Sequence, residues 1–311
     1  MKTHIVQSEE WGNAKSTCGT PAVRVKNVQF TLHKLPYTNF YIANSPKVNP
    51  FEIDFEEIRK VAQEHNAAFI NFDVPNVIKG SDEESKAVEI LSNNCVKSPR
   101  DTFAKANIII DLKQTEEEIL AKMHPKRRYN IRYGLKNGVE VKIANSQKDF
   151  DVFYELLKST ADRQKYYVRS KDYYHTIYNL LEPKEIAKIF ISYYKTTPLA
   201  AWMIFFYEYI MYYPYGGSSE NYKNLFGSEV LGFEIIKYGI QNKYDSFDMW
   251  GAAINPENKG DPYYGFTNFK LKYGGKHVSY IDSYDLIINK SVYDSYNLAQ
   301  NIRWKILRLL K

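Results

Sequence analysis

Apolar positions along the chain fall into two rhythms, and the elements they predict alternate. Residues 30–35 read as a strand. Asp54 opens a helix with Glu57 in capping-box position and Ile58, Val61, Ala62 and His65 on one face. Residues 68–72 form a short apolar run that predicts a buried strand, residues 82–91 a helix, residues 107–112 another strand. Thr115, three residues before Glu118, opens the next helix. The second half repeats the pattern. Phe153, Leu156, Leu157 and Thr160 share a helical face, and Ser170 caps a helix ending at Leu181. Residues 186–194, 199–207 and 210–215 are β-like, 228–241 helical with Leu231, Ile235 and Tyr238 aligned, and 246–250 and 277–284 strands. A helix with a basic end closes the chain from Tyr293 to Leu310.

Interleaving of this kind predicts an α/β (α+β) fold in two similar mixed modules. Of 27 tyrosines only Tyr37 and Tyr41 precede Tyr129, a shift that places the boundary near residue 145. With no long Gly/Ser-rich linker, the modules are expected to pack tightly side by side. The apolar stretch 199–215 is short for a membrane span, carries Glu208 and is rich in aromatics, so it reads as two buried strands.

Composition narrows the class. Hydrophobic residues at 44% and charged residues at 25% exclude a disordered or collagenous chain. A net charge of +6 favours anionic partners without choosing among phosphates, nucleic acid and acidic lipid. Cys18 and Cys95 make no disulfide framework, which fits a reducing compartment, and no Cys or His spacing suits zinc. The first residues lead into no signal peptide, so a cytoplasmic protein is expected, lacking metal and cofactor.

Three segments carry possible chemistry. Lys122, Lys126, Arg127, Arg128, Arg132 and Lys136 lie together without an acid, on a helix that Pro125 starts and Asn137-Gly138 ends. Arg128, Arg132 and Lys136 then stack at i, i+4 and i+8, where like charges cost roughly 0.2–0.5 kcal/mol per pair. A bound anion such as nucleic-acid phosphate would offset this, though a solvated basic face is an equal reading. Gly216-Gly217-Ser218-Ser219 after a strand is more a turn than an anion cradle. Lys270, between Phe269 and Leu271, is either a partly buried amine able to stabilise an oxyanion or a snorkelling surface lysine. Walker, G-x-G-x-x-G and G-x-S-x-G motifs are absent, as is the CoA-pyrophosphate loop of ordinary acetyltransferases.

Several segments together resemble the Fem family of peptidoglycan interpeptide-bridge aminoacyltransferases. They are Gln7-Ser8 with Trp11 and Lys15, Asp111-Leu112, Lys126-Arg127-Arg128 with Ile131-Arg132, Gly138-Val139-Glu140-Val141, Thr160-Ala161-Asp162-Arg163, Tyr213-Pro214-Tyr215-Gly216-Gly217-Ser218, Asp248-Met249-Trp250-Gly251, and Gly265-Phe266-Thr267-Asn268-Phe269-Lys270. The resemblance implies two tandem acetyltransferase-like modules: residues 1–145, completed by a C-terminal helix 285–311, and residues 146–284. It looks like the compact form, without a coiled-coil arm. It implies transfer of an amino acid from aminoacyl-tRNA, as co-substrate, to an amine of the stem peptide. The acceptor would be UDP-MurNAc-pentapeptide or lipid II, with peripheral association at the inner membrane face; the oligomeric state is not readable from the sequence, a monomer being the default expectation.

By the same resemblance, Lys15 contacts the precursor's phosphates, and Arg169 and Tyr173 bind that substrate, with Arg163 and Tyr167 at the same spacing as an alternative register. Tyr215, with Tyr213 nearby, touches substrate. Lys270 is the catalytic lysine beside Phe269. Lys126, Arg128, Arg132 and Lys136 would receive tRNA. Asp73 is a candidate base, though a structural loop aspartate is the stronger reading. Phe226-Gly227-Ser228 and residues 18–21 depart from the family pattern, leaving donor and acceptor preference open. Two other classes stay in view: a CoA-dependent N-acyltransferase on the same scaffold, and a non-catalytic tRNA- or RNA-binding protein.

Overall fold

A computed structural model describes residues 2–309. Contacts divide the chain into two units, one reaching Phe103 and resuming at Tyr280, the other spanning Ala104–Ser279.

The chain begins with α1 (Glu9–Thr17), β1 (Ala22–Val25), β2 (Val28–Lys34), β3 (Tyr41–Asn44), α2 (Phe55–Glu64), β4 (Ala67–Phe72), α3 (Glu84–Asn94) and β5 (Val96–Lys97). The second unit holds β6 (Ala106–Asp111), α4 (Glu116–Lys122), α5 (Pro125–Lys136), β7 (Val139–Ile143), α6 (Gln147–Gln164), α7 (Lys171–Leu181), β8 (Ala187–Tyr194), β9 (Thr197–Tyr207), β10 (Ile210–Ser218), α8 (Gly227–Gln241), β11 (Ser246–Gly251), α9 (Tyr264–Leu271) and β12 (Lys276–Ser279). The chain ends with β13 (Tyr284–Ile287) and α10 (Lys290–Leu309). Leu310, expected at the end of that helix, and Lys311 of its basic end lie outside the described residues, as does Met1.

Local signals act as expected. Asp54 accepts from Glu57 N, and Thr115 and Glu118 make a full capping box. Ser170 caps α7 by accepting from Tyr173 N. The 199–215 stretch is the antiparallel pair β9–β10, and among the described residues no helix is long and apolar enough to cross a membrane.

The first sheet runs β1-β2-β3-β4-β13-β5, with β4 buried throughout around Phe69, Ile70 and Phe72. The second runs β12-β6-β11-β10-β9-β8-β7, and within it only the β10–β11 pair is parallel among the described strands. Its core gathers Trp202, Ile204, Phe206, Phe247, Ile235 and Tyr273.

The fold class is as expected, but the boundaries near 145 and 284 are corrected to 103/104 and 279/280. Strand β6 sits inside the second sheet between β12 and β11, and β7 edges it against β8. Those hydrogen bonds assign residues 104–145 to the second unit, whatever their tyrosine content. The strand expected over 277–284 is two strands in two sheets, because the chain leaves β12 at Ser279 and re-enters the first sheet at Tyr284.

Gly216 and Gly217 are also corrected: they form neither turn nor cradle but lie within β10, paired with Trp202 and Ala201. A side chain on Gly217 would run into the Leu156 carbonyl of α6, so the bare backbone lets that helix lie against the strand.

Candidate active site

Strands β10 and β11 run in parallel register from Ile210↔Ser246 to Tyr212↔Asp248, and their pairing stops there. Both bulge at that level. On β10, Tyr212 and Tyr215 face Phe205 and Met203, three steps against two. On β11, Asp248 and Gly251 face Ile109 and Asn107, again three against two. Trp250 takes a left-handed φ of 63° in this bulge, a conformation that a bulky side chain rarely holds without compensation. Two extra residues therefore part the strand ends beside each other and turn backbone carbonyls away from the ladder.

Lys270 fills that parting. It lies on α9, 7% exposed, and its Nζ donates to the Gly251 carbonyl at 2.7 Å. The Phe266 ring centroid is 4.7 Å away and that of Tyr213 5.9 Å. Burial lowers its pKa to about 7, against the attraction of Asp248. Asp248 accepts from Asn107 Nδ2 at 2.9 and 2.8 Å and from Trp250 N at 2.7 Å. Helix α9 is fixed by Thr267, whose Oγ1 accepts from Ala253 N at 2.8 Å and donates to the Tyr263 carbonyl at 2.7 Å. An amine poised between charge states near neutrality, on rigid supports and among aromatic rings, suits stabilisation of a developing negative oxygen.

Phe269 faces away from this amine. Its ring packs edge-on to Trp202 at 6.2 Å and Tyr273 at 5.6 Å, and the Arg127 guanidinium lies 4.3 Å from it. Arg127 is 2% exposed, stacks on Tyr273 at 4.2 Å and donates from Nη2 to the Phe269 carbonyl at 2.8 Å. Sequence reasoning passed over Arg127 as one charge among six. Its signal was present: Arg127, Asn130, Ile131 and Gly134 are spaced i, i+3, i+4, i+7, and all four are buried on one face of α5. Asp248 and Asn107 were missed because a strand position gives no sign that a polar residue faces inward.

The bulge separates two tyrosines that strict alternation would put on one face. Tyr213 stacks on Trp202, centroids 4.0 Å apart, whereas Tyr215 packs edge-on to Phe205 and Tyr174. Trp202 and Phe205 are three apart on β9 and so face opposite ways. Tyr213 is thus part of the Lys270 side. Tyr215 belongs with Tyr173, its hydrogen-bond partner, and Arg169, whose guanidinium lies 5.4 Å from the Tyr173 ring. Burial, reinforced by the neighbouring tyrosines, pushes the Tyr215 hydroxyl well above its ordinary pKa. Between the two registers the structure brings together Arg169 and Tyr173. Arg163 is instead paired with Glu220 at 3.1 Å and bonded to the Ser218 carbonyl, and Tyr167 is fully exposed.

The basic helix is not uniform. Arg128 donates to the Leu120, Ala121 and Met123 carbonyls at 3.3, 3.2 and 2.6 Å, capping the end of α4, so the expected three-charge stack loses its first member to an intramolecular role. Lys126, Arg132 and Lys136 remain exposed. Lys15 lies half-buried on α1 of the first unit. Asp73, also of the first unit, is buried and accepts from Thr102 N and from Ser283 Oγ, a tie between loop segments.

The sequence profile described as the FemAB family matches residues 2–194 and 179–301. The chain is similar to a Lipid II:glycine glycyltransferase of Staphylococcus saprophyticus, 22% identical over 88% of this chain and 82% of that one. It is similar to a protein of the same name from Staphylococcus aureus, 23% identical over 94% and 91%. A crystal structure of FemX superposes with a TM-score of 0.82 at 16% identity over 94% of both chains. L-PGS from Bacillus licheniformis follows at 0.57 and 13%, over 91% of this chain and 88% of that one.

Proposed function

This chain belongs to the FemAB family, and on that premise we propose that it is an aminoacyltransferase of peptidoglycan interpeptide-bridge formation, taking its amino acid from aminoacyl-tRNA. The relatives named Lipid II:glycine glycyltransferase support a lipid-linked stem peptide as acceptor. The observation that carries the chemistry is the buried Lys270 amine held on the Gly251 carbonyl where β10 and β11 part. In the reaction the acceptor amine attacks the ester carbonyl of the donor, forming an N–C bond and an oxyanion. Lys270, protonated, donates to that oxygen. Collapse breaks the C–O bond to the ribose, whose oxygen takes the proton lost by the amine. Tyr213 and Phe266 flank the amine and would keep water from it, which would strengthen its hold on the oxyanion.

Arg169, Tyr173 and Tyr215, gathered on one side of β10, would hold the acceptor. Arg169→Ala is expected to raise KM for the precursor about 10–100-fold, the worth of one charge-assisted hydrogen bond, with kcat little changed. Steady-state kinetics with UDP-MurNAc-pentapeptide and with lipid II checks this, and an unchanged KM for both would remove Arg169 from the site. Of the four cations expected to receive tRNA, Lys126, Arg132 and Lys136 stay exposed. Arg132→Glu with Lys136→Glu is expected to raise KM for charged tRNA and lower its salt slope by about 0.7–0.9 per lost phosphate contact. An equal effect on precursor KM would show a general loss instead.

The test of the function is mass spectrometry of either precursor incubated with the protein and a pool of charged tRNAs. A mass gain by one amino acid identifies the donor residue, and no gain with either precursor overturns the proposal.

A further inference from the structure

A cavity of about 320 Å³ opens between α5, the start of α8 and α9, lined by Lys126, Arg127, Asn130, Glu229, Asn268 and Lys272 among others. Arg127 is its unusual wall. The side chain is almost wholly buried, yet its Nε and Nη1 hydrogens have no hydrogen-bond acceptor among the described residues. Nη1 has only an ionic contact with Glu229 Oε1, at 3.4 Å. A buried guanidinium with unmet donors is costly unless something else accepts from it. Three cations face the cavity against the one carboxylate of Glu229, leaving a net positive lining. Helix α8, 15 residues long, begins beside it with no side-chain cap, so its first amides add to the positive end. Asn130 and Asn268 supply neutral amide donors. Phe269 is a wall of this cavity and the chain neighbour of Lys270, so the cavity and the amine share helix α9.

We propose that this cavity is a phosphate-ester subsite, with Arg127 donating to the anionic oxygens and Lys126 and Lys272 at its rim. The assignment of the phosphate rests on the function proposed above: it is either a phosphodiester near the 3′ end of the RNA donor or the diphosphate of the precursor. The subsite itself rests on the cavity alone.

Gly265 provides the test, because it lines the cavity and a Cβ there meets nothing within 4 Å. Its φ is not in the left-handed region, and a helix accepts leucine better than glycine. Gly265→Leu should therefore fold normally, with an unchanged thermal melt, while occupying the space. Calorimetric titrations of the full chain with the trinucleotide rCpCpA, with UDP and with adenosine decide the matter. The wild type is expected to bind one of the two phosphate esters and not adenosine. Gly265→Leu is expected to bind that ester at least tenfold more weakly, and the exposed Lys126→Glu several-fold more weakly. Preference for rCpCpA assigns the subsite to the donor, preference for UDP to the acceptor. No binding of either ester by the wild type, or equal binding by Gly265→Leu, overturns the proposal. Phosphate-ester binding sensitive to Gly265→Leu in a protein that transfers no amino acid would leave the subsite standing and remove the proposed function.

Discussion

Lys270→Met is expected to lower kcat for aminoacyl transfer by about 10²–10³-fold, the usual effect of removing one oxyanion donor, while stabilising the fold at neutral pH. The two effects have one cause. The amine is held in a place where its charge is penalised, so its folded pKa of about 7 lies below the unfolded value of 10.5. Below pH 7 the folded state carries the full cost of the buried charge. As pH rises toward 10.5 the unfolded state also gives up its proton and the cost disappears. The methionine variant should accordingly be the more stable by roughly 2–4 kcal/mol at pH 6–7, after allowing for the lost bond to Gly251. That advantage should shrink as pH rises from 7 to 10.5. Denaturant melts across this range check the stability arm, and single-turnover kinetics check the chemical one. A variant that loses activity and stability together at pH 7 would mark Lys270 as a structural residue. Lys270→Arg, charged at all these pH values, should keep part of the activity and lose the alkaline fall in kcat/KM that deprotonation of the lysine produces.

Gly217→Ala is expected to be among the most damaging single-methyl changes in the protein. The added carbon would overlap the backbone carbonyl of Leu156, where no side-chain rotamer can relieve it. Either α6 withdraws from β10 or the strand shifts, and both disturb the Thr160 hydroxyl that accepts from Ser218 N at 2.8 Å. A loss at the upper end of about 1–3 kcal/mol follows, or a fall in Tm of about 6–12 °C for a unit of this size. Differential scanning calorimetry reads it directly. A shift under 2 °C would mean that the helix moves freely over the strand.

Much of the fold was legible because capping residues and periodicity are local. Asp54, Thr115 and Ser170 each start the helix their neighbours suggest. The unit boundaries were not, since membership of a sheet is settled by pairing between distant residues. Val139 and Ile143 edge the second sheet because β8 is there to receive them, a fact no nearby residue carries. Lys270 was visible as an amine between apolar neighbours, but its burial depends on bulges in β10 and β11 that alternation cannot foresee. Arg128 shows the reverse error: a charge that looked available from the sequence is already used by the end of α4.

The bulge at Tyr212–Tyr215 has a further consequence for how such an enzyme can diverge. One strand presents Tyr213 to the amine and Tyr215 to the α7 cluster, on opposite sides of the sheet. On the proposed reading, in which the α7 side holds the acceptor, substitutions there would change which acceptor is favoured while the surroundings of Lys270 stay as they are, because separated positions contribute nearly independently. Selectivity and reactivity would then be separately heritable traits of a single strand, kept apart by one inserted residue.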